Sequence, residues 1–457
     1  MTSASTAGAS TAEAGTSLAS EVLELVRSRS KDAEAEVEVR SGQLALTRFA
    51  NSFIHQNVAE DAGSVAIRLA LDGRVASARL DGPTDRERLE RLVGGVFDAA
   101  RVSPVDPDWP GVTGPAPAPE VEHWDAETAT ASADDRARRV AAFVAAAGGL
   151  ETAGSVSTQA VTVVCATTAG QALAGRTTIA AIDGIARTPT SDGVARHASV
   201  ALGSIDGRAA GARAVGKARA AADPTDMEPG RYPVVLEPSC VANILTFLQN
   251  HGYGGRVVEE HRSFVRLGEA QLDPSITIRQ DIGHPLMVGL PFDVEGTPRL
   301  AIDVVRDGVS LAVLHDRRSA RKAGVPSTGN AVEGPNSFGF VAASTVLLPG
   351  DRNLDALVGD LERGILVSDF WYTRVLDPRT LVVTGLTRNG VWLIENGRVV
   401  RPLRNLRFTQ SYAEALAPGA VLGVGSDLGL FPEGHDSAQL VPSLHLASWN
   451  FTGGAKG

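Results

Sequence analysis

Tyr232-Pro-Val-Val-Leu-Glu-Pro-Ser-Cys-Val-Ala-Asn-Ile-Leu-Thr-Phe-Leu-Gln-Asn-His251 is where the pattern of the chain changes. The apolar run Val234-Val235-Leu236 reads as the strand that starts a β-dominated half. Pro238-Ser239 then opens a helix in which Ile244, Leu245 and Leu248 recur on one face. Cys240 falls at the start of that helix. A thiol there can be acidified, but no histidine can be placed beside it, so it reads as packing.

After this stretch the sequence is dominated by strands. Asp307-Gly308 separates Leu300–Val305 from Val309–Leu314, and Asn396-Gly397 separates Val391–Ile394 from Arg398–Val400. Both dipeptides supply the positive φ angles that a two-residue hairpin needs. Before it, helices and strands alternate. A helix is expected from Leu18 to Arg29 and strands over 35–40, 44–50 and 64–71. Asp72-Gly73 turns the last of these into Val75–Leu80, and helices follow at 84–100, 133–147 and 207–222. Six prolines between Pro104 and Pro119 forbid helix or central strand there and mark a surface crossing. The fold class read from this order is α+β. A tail at 1–17 is expected to be disordered, because it is too small and polar to bury anything. An N-terminal helix-and-antiparallel-sheet half spans 18–225, with the proline-rich crossing at 102–131. A β-rich C-terminal domain spans 226–457.

Composition removes several classes of function. Of the 457 residues 43% are hydrophobic and 21% charged, as in ordinary globular proteins. No apolar run reaches the roughly 18 residues of a membrane span, so no membrane partner is expected. The formal charge of −10 argues against nucleic acid as a partner. Two cysteines, Cys165 and Cys240, make neither a disulfide framework nor a multi-cysteine zinc site. Without a basic, apolar leader the expected compartment is the cytoplasm.

Local motifs are weak. Gly211-Ala-Arg-Ala-Val-Gly-Lys217 resembles a phosphate loop, but Ala218 stands where the magnesium-binding hydroxyl belongs and no buried strand precedes it. Among the nine histidines, including His435, no two lie three or four residues apart, so no helix presents a local metal pair.

A series of segments, taken in order, nevertheless resembles one family. They are Thr47-Arg-Phe-Ala-Asn-Ser-Phe-Ile-His-Gln-Asn57, Tyr232-Pro-Val-Val-Leu-Glu-Pro238, Pro291-Phe-Asp-Val-Glu-Gly-Thr297, Leu314-His-Asp-Arg-Arg-Ser-Ala-Arg321 and Ser327-Thr-Gly-Asn330. Trp392-Leu-Ile-Glu-Asn-Gly397, Val441-Pro-Ser-Leu444 and Asn450-Phe-Thr-Gly453 complete the series. Together they resemble the TldD/PmbA proteins of bacterial and archaeal metalloprotease complexes. In TldD-like members the helix after this strand carries H-E-x-x-x-H, and a cysteine near the C-terminus completes the metal site. The matching positions here are Thr246, Phe247, Leu248, Gln249, Asn250 and His251, and no cysteine follows Cys240. Threonine is a poor zinc ligand and phenylalanine cannot move a proton. Thr246, Phe247, Asn250 and His251 therefore read as a degenerate metal motif, as in the PmbA/TldE branch.

The resemblance implies a catalytically silent subunit of a heterodimeric metalloprotease acting on unfolded or flexible peptides. Zinc is expected in a TldD-like partner and no cofactor in this chain. Ser327, Thr328, Gly329 and Asn330 are the candidate peptide-binding segment, with an ordinary polar turn as the alternative. Two other readings stay open. One is a stand-alone regulatory protein acting through a protein partner. The other is a peptidase with a metal site rebuilt from His251, His261 and His284.

Overall fold

The computed structural model describes residues 3–332, 342–434 and 437–454, so His435 lies outside the described residues. In the first half α1 (Ser3–Arg29) leads into β1 (Glu34–Ala50), β2 (Phe53–Leu71), β3 (Arg74–Asp81) and α2 (Arg86–Val102). After an extended crossing come α3 (Ala126–Ala129), α4 (Ala133–Ala146), β4 (Glu151–Thr167), β5 (Ala172–Arg187), β6 (Asp192–Ser199) and α5 (Gly207–Ala220). The six strands form one antiparallel sheet in the order β3-β2-β1-β4-β5-β6. Its apolar face is covered at one end by α1 and α2, over a core that includes Val22, Val26, Val37, Ile67, Val93 and Phe97. At the other end α4 and α5 close over Phe49, Phe143, Val156 and Ile182.

Two expectations are corrected here. The region 1–17, read as a disordered tail, is helical from Ser3 onward. The anchored segment after Leu18 already supplies a nucleus, and adding small helix-compatible residues to an existing helix costs no second nucleation. The two strands expected over 35–40 and 44–50 are one strand, because Ser41, Gly42 and Gln43 stay paired with β2 and β4. The three hairpins stand where they were read. Asp72-Gly73, Asp307-Gly308 and Asn396-Gly397 all take positive φ, between 50° and 78°. Ser132 accepts from the Asp135 N–H while Asp135 accepts from the Ser132 N–H, which starts α4 with a capping box. The glycine-rich segment Gly211–Lys217 lies inside α5, and Lys217 pairs with Glu237.

The second half runs through β7 (Gly230–Leu236), α6 (Pro238–His251), α7 (Gly255–Glu259), β8 (Ile278–Gln280), β9 (Ile302–Arg306), β10 (Val309–Ser310), α8 (Arg317–Ala323), β11 (Thr345–Leu347) and α9 (Leu354–Gly359). It continues through β12 (Arg363–Asp377), β13 (Val382–Glu395), β14 (Arg398–Pro402), β15 (Leu406–Ser411), α10 (Tyr412–Ala415), β16 (Val421–Val424), β17 (Gly429–Pro432), β18 (Ala438–Val441) and β19 (Leu444–Gly454). β12, β7, β19, β15 and β13 pair in that order, and β12 pairs back to β13, so the five strands close on themselves. β14 and β16 are appended to β13 and β19. Closure removes open edges from this part of the sheet. A second sheet runs β10-β9-β8-β11-β18-β17. β7, which ends in the apolar run Val234–Leu236, is one strand of the ring, parallel to β12 and antiparallel to β19. The architecture is α+β, and the C-terminal part is rich in strands. Among the described residues no helix is long and apolar enough to cross a membrane.

The halves are joined by charge as well as by chain. Arg68 on β2 bridges Glu36 on β1 at 2.7 Å and Glu295 of the second half at 2.7 Å. The crossing is strapped to the second half by Arg317, whose guanidinium donates to the Pro110 and Val112 carbonyls at 3.3 and 3.1 Å.

Candidate functional site

α6 lies between the closed ring and strands β18 and β17 of the second sheet, of which β17 is the edge. Its inner face is apolar: Val241, Ile244, Leu245 and Leu248 are buried in the ring's core. Cys240 is buried in the first turn with Sγ 3.6 Å from the Val367 carbonyl. Burial pushes the Cys240 and Cys165 thiols well above their ordinary range. A thiol-specific reagent should modify neither cysteine in the folded chain and both after denaturation; rapid labelling of the native protein would contradict this placement.

The degenerate motif occupies the flank of α6. The Thr246 hydroxyl lies 3.0 Å from the Ala242 carbonyl and 3.1 Å from Glu433 Oε1. Gln439 Nε2 on β18 donates to Thr246 Oγ1 at 2.6 Å and to Glu433 Oε1 at 3.3 Å. Burial raises the affinity of Glu433 for its proton, and the bond from Thr246 works against that rise. The Phe247 ring stacks on His251, with centroids 5.8 Å apart and planes 19° apart. Its edge meets Tyr412 at 5.7 Å. Burial, reinforced by Arg262, lowers the pKa of His251, which keeps the imidazole neutral at pH 7. Asn250 sits half-buried on the same flank.

This donor set does not fit zinc. Thr246 offers a hydroxyl already held in an amide–carboxyl hydrogen-bond network, and Phe247 a packed aromatic ring that can neither bind a metal nor move a proton. Among the described residues no three His, Cys, Asp or Glu side chains converge where a metal ion could be held. The rebuilt set does not assemble either: His261 is exposed, and His284 Nδ1 accepts from the Leu286 N–H at 3.2 Å.

Ser327-Thr-Gly-Asn330 forms a knot around the second sheet. The Ser327 and Thr328 hydroxyls both donate to the His315 carbonyl, at 3.1 and 3.0 Å. Asn330 is fully buried; its amide donates to Gln280 at 2.7 Å and accepts from the Ala343 N–H at 3.1 Å. Its side chain fixes the segment from within and lines no surface, while Ser327 and Thr328 stay half-exposed. Gly329 has φ +75°, and an added Cβ would fall 2.7 Å from the Pro298 carbonyl oxygen. Gly329→Ala should cost about 2 kcal/mol by chemical denaturation, from left-handed strain and the clash together.

The residues that sequence reasoning missed are Glu433 and Gln439, which complete the cluster around Thr246. Missed as well were the roles of Asp293 and Glu295, quoted only within a resembling segment. Asp293 Oδ1 accepts from the Glu295 and Thr297 N–H groups at 3.0 and 2.9 Å, and Oδ2 from the Ala331 N–H at 2.8 Å. Burial is the main cause that pushes Asp293 and Glu36 each up to about 7.

Residues 229–453 match the model of the PmbA/TldA metallopeptidase C-terminal domain. Over these residues the chain is a TldD/PmbA-family protein. A metalloprotease of Methanothermobacter thermautotrophicus is 25% identical over 227 residues, covering 49% of this chain and 48% of that protein. A TldD homologue of Haemophilus influenzae is 26% identical over 208 residues, 44% of this chain and 42% of the relative. The chain thus spans about half the length of the curated relatives it matches. TldE from Thermococcus kodakarensis superimposes with a TM-score of 0.85 at 19% identity, over 95% of this chain and 100% of that one, which makes the two alike in fold.

Proposed function

We propose that this TldD/PmbA-family chain is a TldE-like subunit that is silent on its own and works beside a metal-bearing TldD-like partner. The pair would hydrolyse unfolded or flexible peptides, with zinc and the proton-moving glutamate supplied by the partner. The observation that carries this reading is the state of α6: Thr246 is held by Glu433 and Gln439, and Phe247 is packed between His251 and Tyr412. One subunit of such a pair can lose its own catalytic groups and keep its shape, because the packing of α6 is complete without metal.

The reading is tested in the co-purified pair by His251→Ala. Zinc content and the hydrolysis rate should stay within about twofold of the unsubstituted pair, since His251 acts as an aromatic packing partner. Loss of zinc in step with loss of activity would make His251 a ligand and overturn the reading.

A further inference from the structure

Three arginines from separate stretches of the chain converge on one cavity of about 310 Å³. Arg187 ends β5, Arg388 belongs to β13, and Arg404 lies in the loop between β14 and β15. The walls are the Thr188–Ser191 turn of the first half and the Asn389-Gly390 bend of the second. In a chain with a formal charge of −10, three arginines on one cavity gather basic side chains in one place.

Three carboxylates lie near them, one of which, Asp223, accepts from the Thr190 hydroxyl on the cavity wall at 3.3 Å. Asp192 pairs with Arg187 at 2.7 Å, and Asp226, itself 89% exposed, meets Arg404 at 3.1 Å. Among the described residues Arg388 has no ion pair; its guanidinium rests on the exposed Trp371 ring at 4.3 Å from the centroid. The backbone beside it is unusual. Asn389 has φ +59° and Gly390 φ +132°, and the pairing of β12 with β13 slips a residue at this point. Such a bulge re-aims the neighbouring side chain and often marks a working site. The bend is held in place by the Asn389 amide, which donates to Asp369 Oδ2 at 3.2 Å, so the wall is set before anything binds.

We propose that this cavity binds a small oxyanion, a carboxylate or a phosphate group, between Arg388 and Arg404. A planar guanidinium matches two oxygens of such a group at once, and arginine pairs recognise carboxylate and phosphate by that fork. Arg187 is tied to Asp192 and sets the field at the far rim. The site is separate from the α6 flank, and it stands whether or not the chain works with a metal-bearing partner.

The test is calorimetric titration of the full chain at low salt with inorganic phosphate and, separately, with acetate, followed in parallel by tryptophan emission. Saturable 1:1 binding of either anion is expected, with an emission change as Arg388 shifts on Trp371. Arg388→Gln should weaken binding about tenfold and Arg388→Gln with Arg404→Gln about a hundredfold, one ion contact being worth about a factor of ten. Arg398→Gln, on β14 outside the cavity, should leave it unchanged. Tighter binding of phosphate or of acetate identifies the source of the oxyanion. Absence of saturable binding up to about 10 mM, or equal weakening by Arg398→Gln, overturns the proposal.

Discussion

Trp449→Ala should destabilise the closed ring by about 3–5 kcal/mol, read as a fall in the urea midpoint with the slope unchanged. Trp449 is fully buried on β19. Its ring stacks on Phe370 at 5.2 Å, meets Phe408 at 5.3 Å and Tyr412 at 5.6 Å. These partners come from β12, β15 and α10, so one side chain ties three elements across the inside of the ring. Truncation to alanine leaves a cavity that the paired strands cannot collapse to fill, and cavity and transfer costs add. Among the described residues the Trp449 indole N–H has no hydrogen-bond partner. Trp449→Phe therefore removes an unmatched donor along with some volume, and should cost less than about 1.5 kcal/mol. An alanine variant as stable as the phenylalanine variant would show that the aromatic cluster does not hold the ring together.

Arg68→Met should cost on the order of 3 kcal/mol at pH 7.5, the low end for breaking a buried charge network, because the arginine keeps 30% side-chain exposure. Methionine preserves the stem that packs near Trp109, over which the guanidinium lies at 5.1 Å, and removes the charge. Glu36 and Glu295 then face each other across the two halves without their common counter-ion. The cost should depend on pH in a definite sense. Glu36 titrates near 7 in the fold and near 4.5 in an unfolded chain, so between those values the fold holds a proton that the unfolded chain has released. Stability from this group is fully present below about pH 4.5 and is lost as the pH rises toward 7. Asp293, also raised to about 7, acts in the same direction over the same upper limit. The unsubstituted chain should therefore lose stability through these two groups between pH 5 and 7.5. Arg68→Met should steepen that loss and become nearly neutral at the acid end. An equal cost at pH 5 and 7.5 would mean that packing, not charge, is what Arg68 supplies.

The features legible in the sequence were those fixed by local chemistry. The three hairpins announced themselves because Asp-Gly and Asn-Gly are among the few dipeptides that take two positive φ angles without strain. α4 was legible from Ser132, and α6 from Pro238 and its apolar spacing. What was not legible depends on distant partners. α1 reaches back to Ser3 because the helix is already nucleated against the sheet, which its Ala, Ser and Thr residues do not disclose. The continuity of β1 through Ser41-Gly42-Gln43 is imposed by pairing on both sides. Glu433 and Gln439 come from β17's end and β18, and the Arg68–Glu295 bond joins residues 227 apart. Asn330, read as lining a peptide site, is held inside by Gln280 and Ala343 for the same reason.

The central claim, that this chain lends shape and its partner lends metal, is tested most directly by one paired assay. Zinc content and peptidase activity are measured on the purified chain and on the chain co-purified with a TldD-like subunit. The account predicts neither stoichiometric zinc nor turnover in the isolated chain, and both in the pair. Zinc with turnover in the isolated chain would contradict it, because the chain would then hold a metal site of its own away from Thr246 and Phe247.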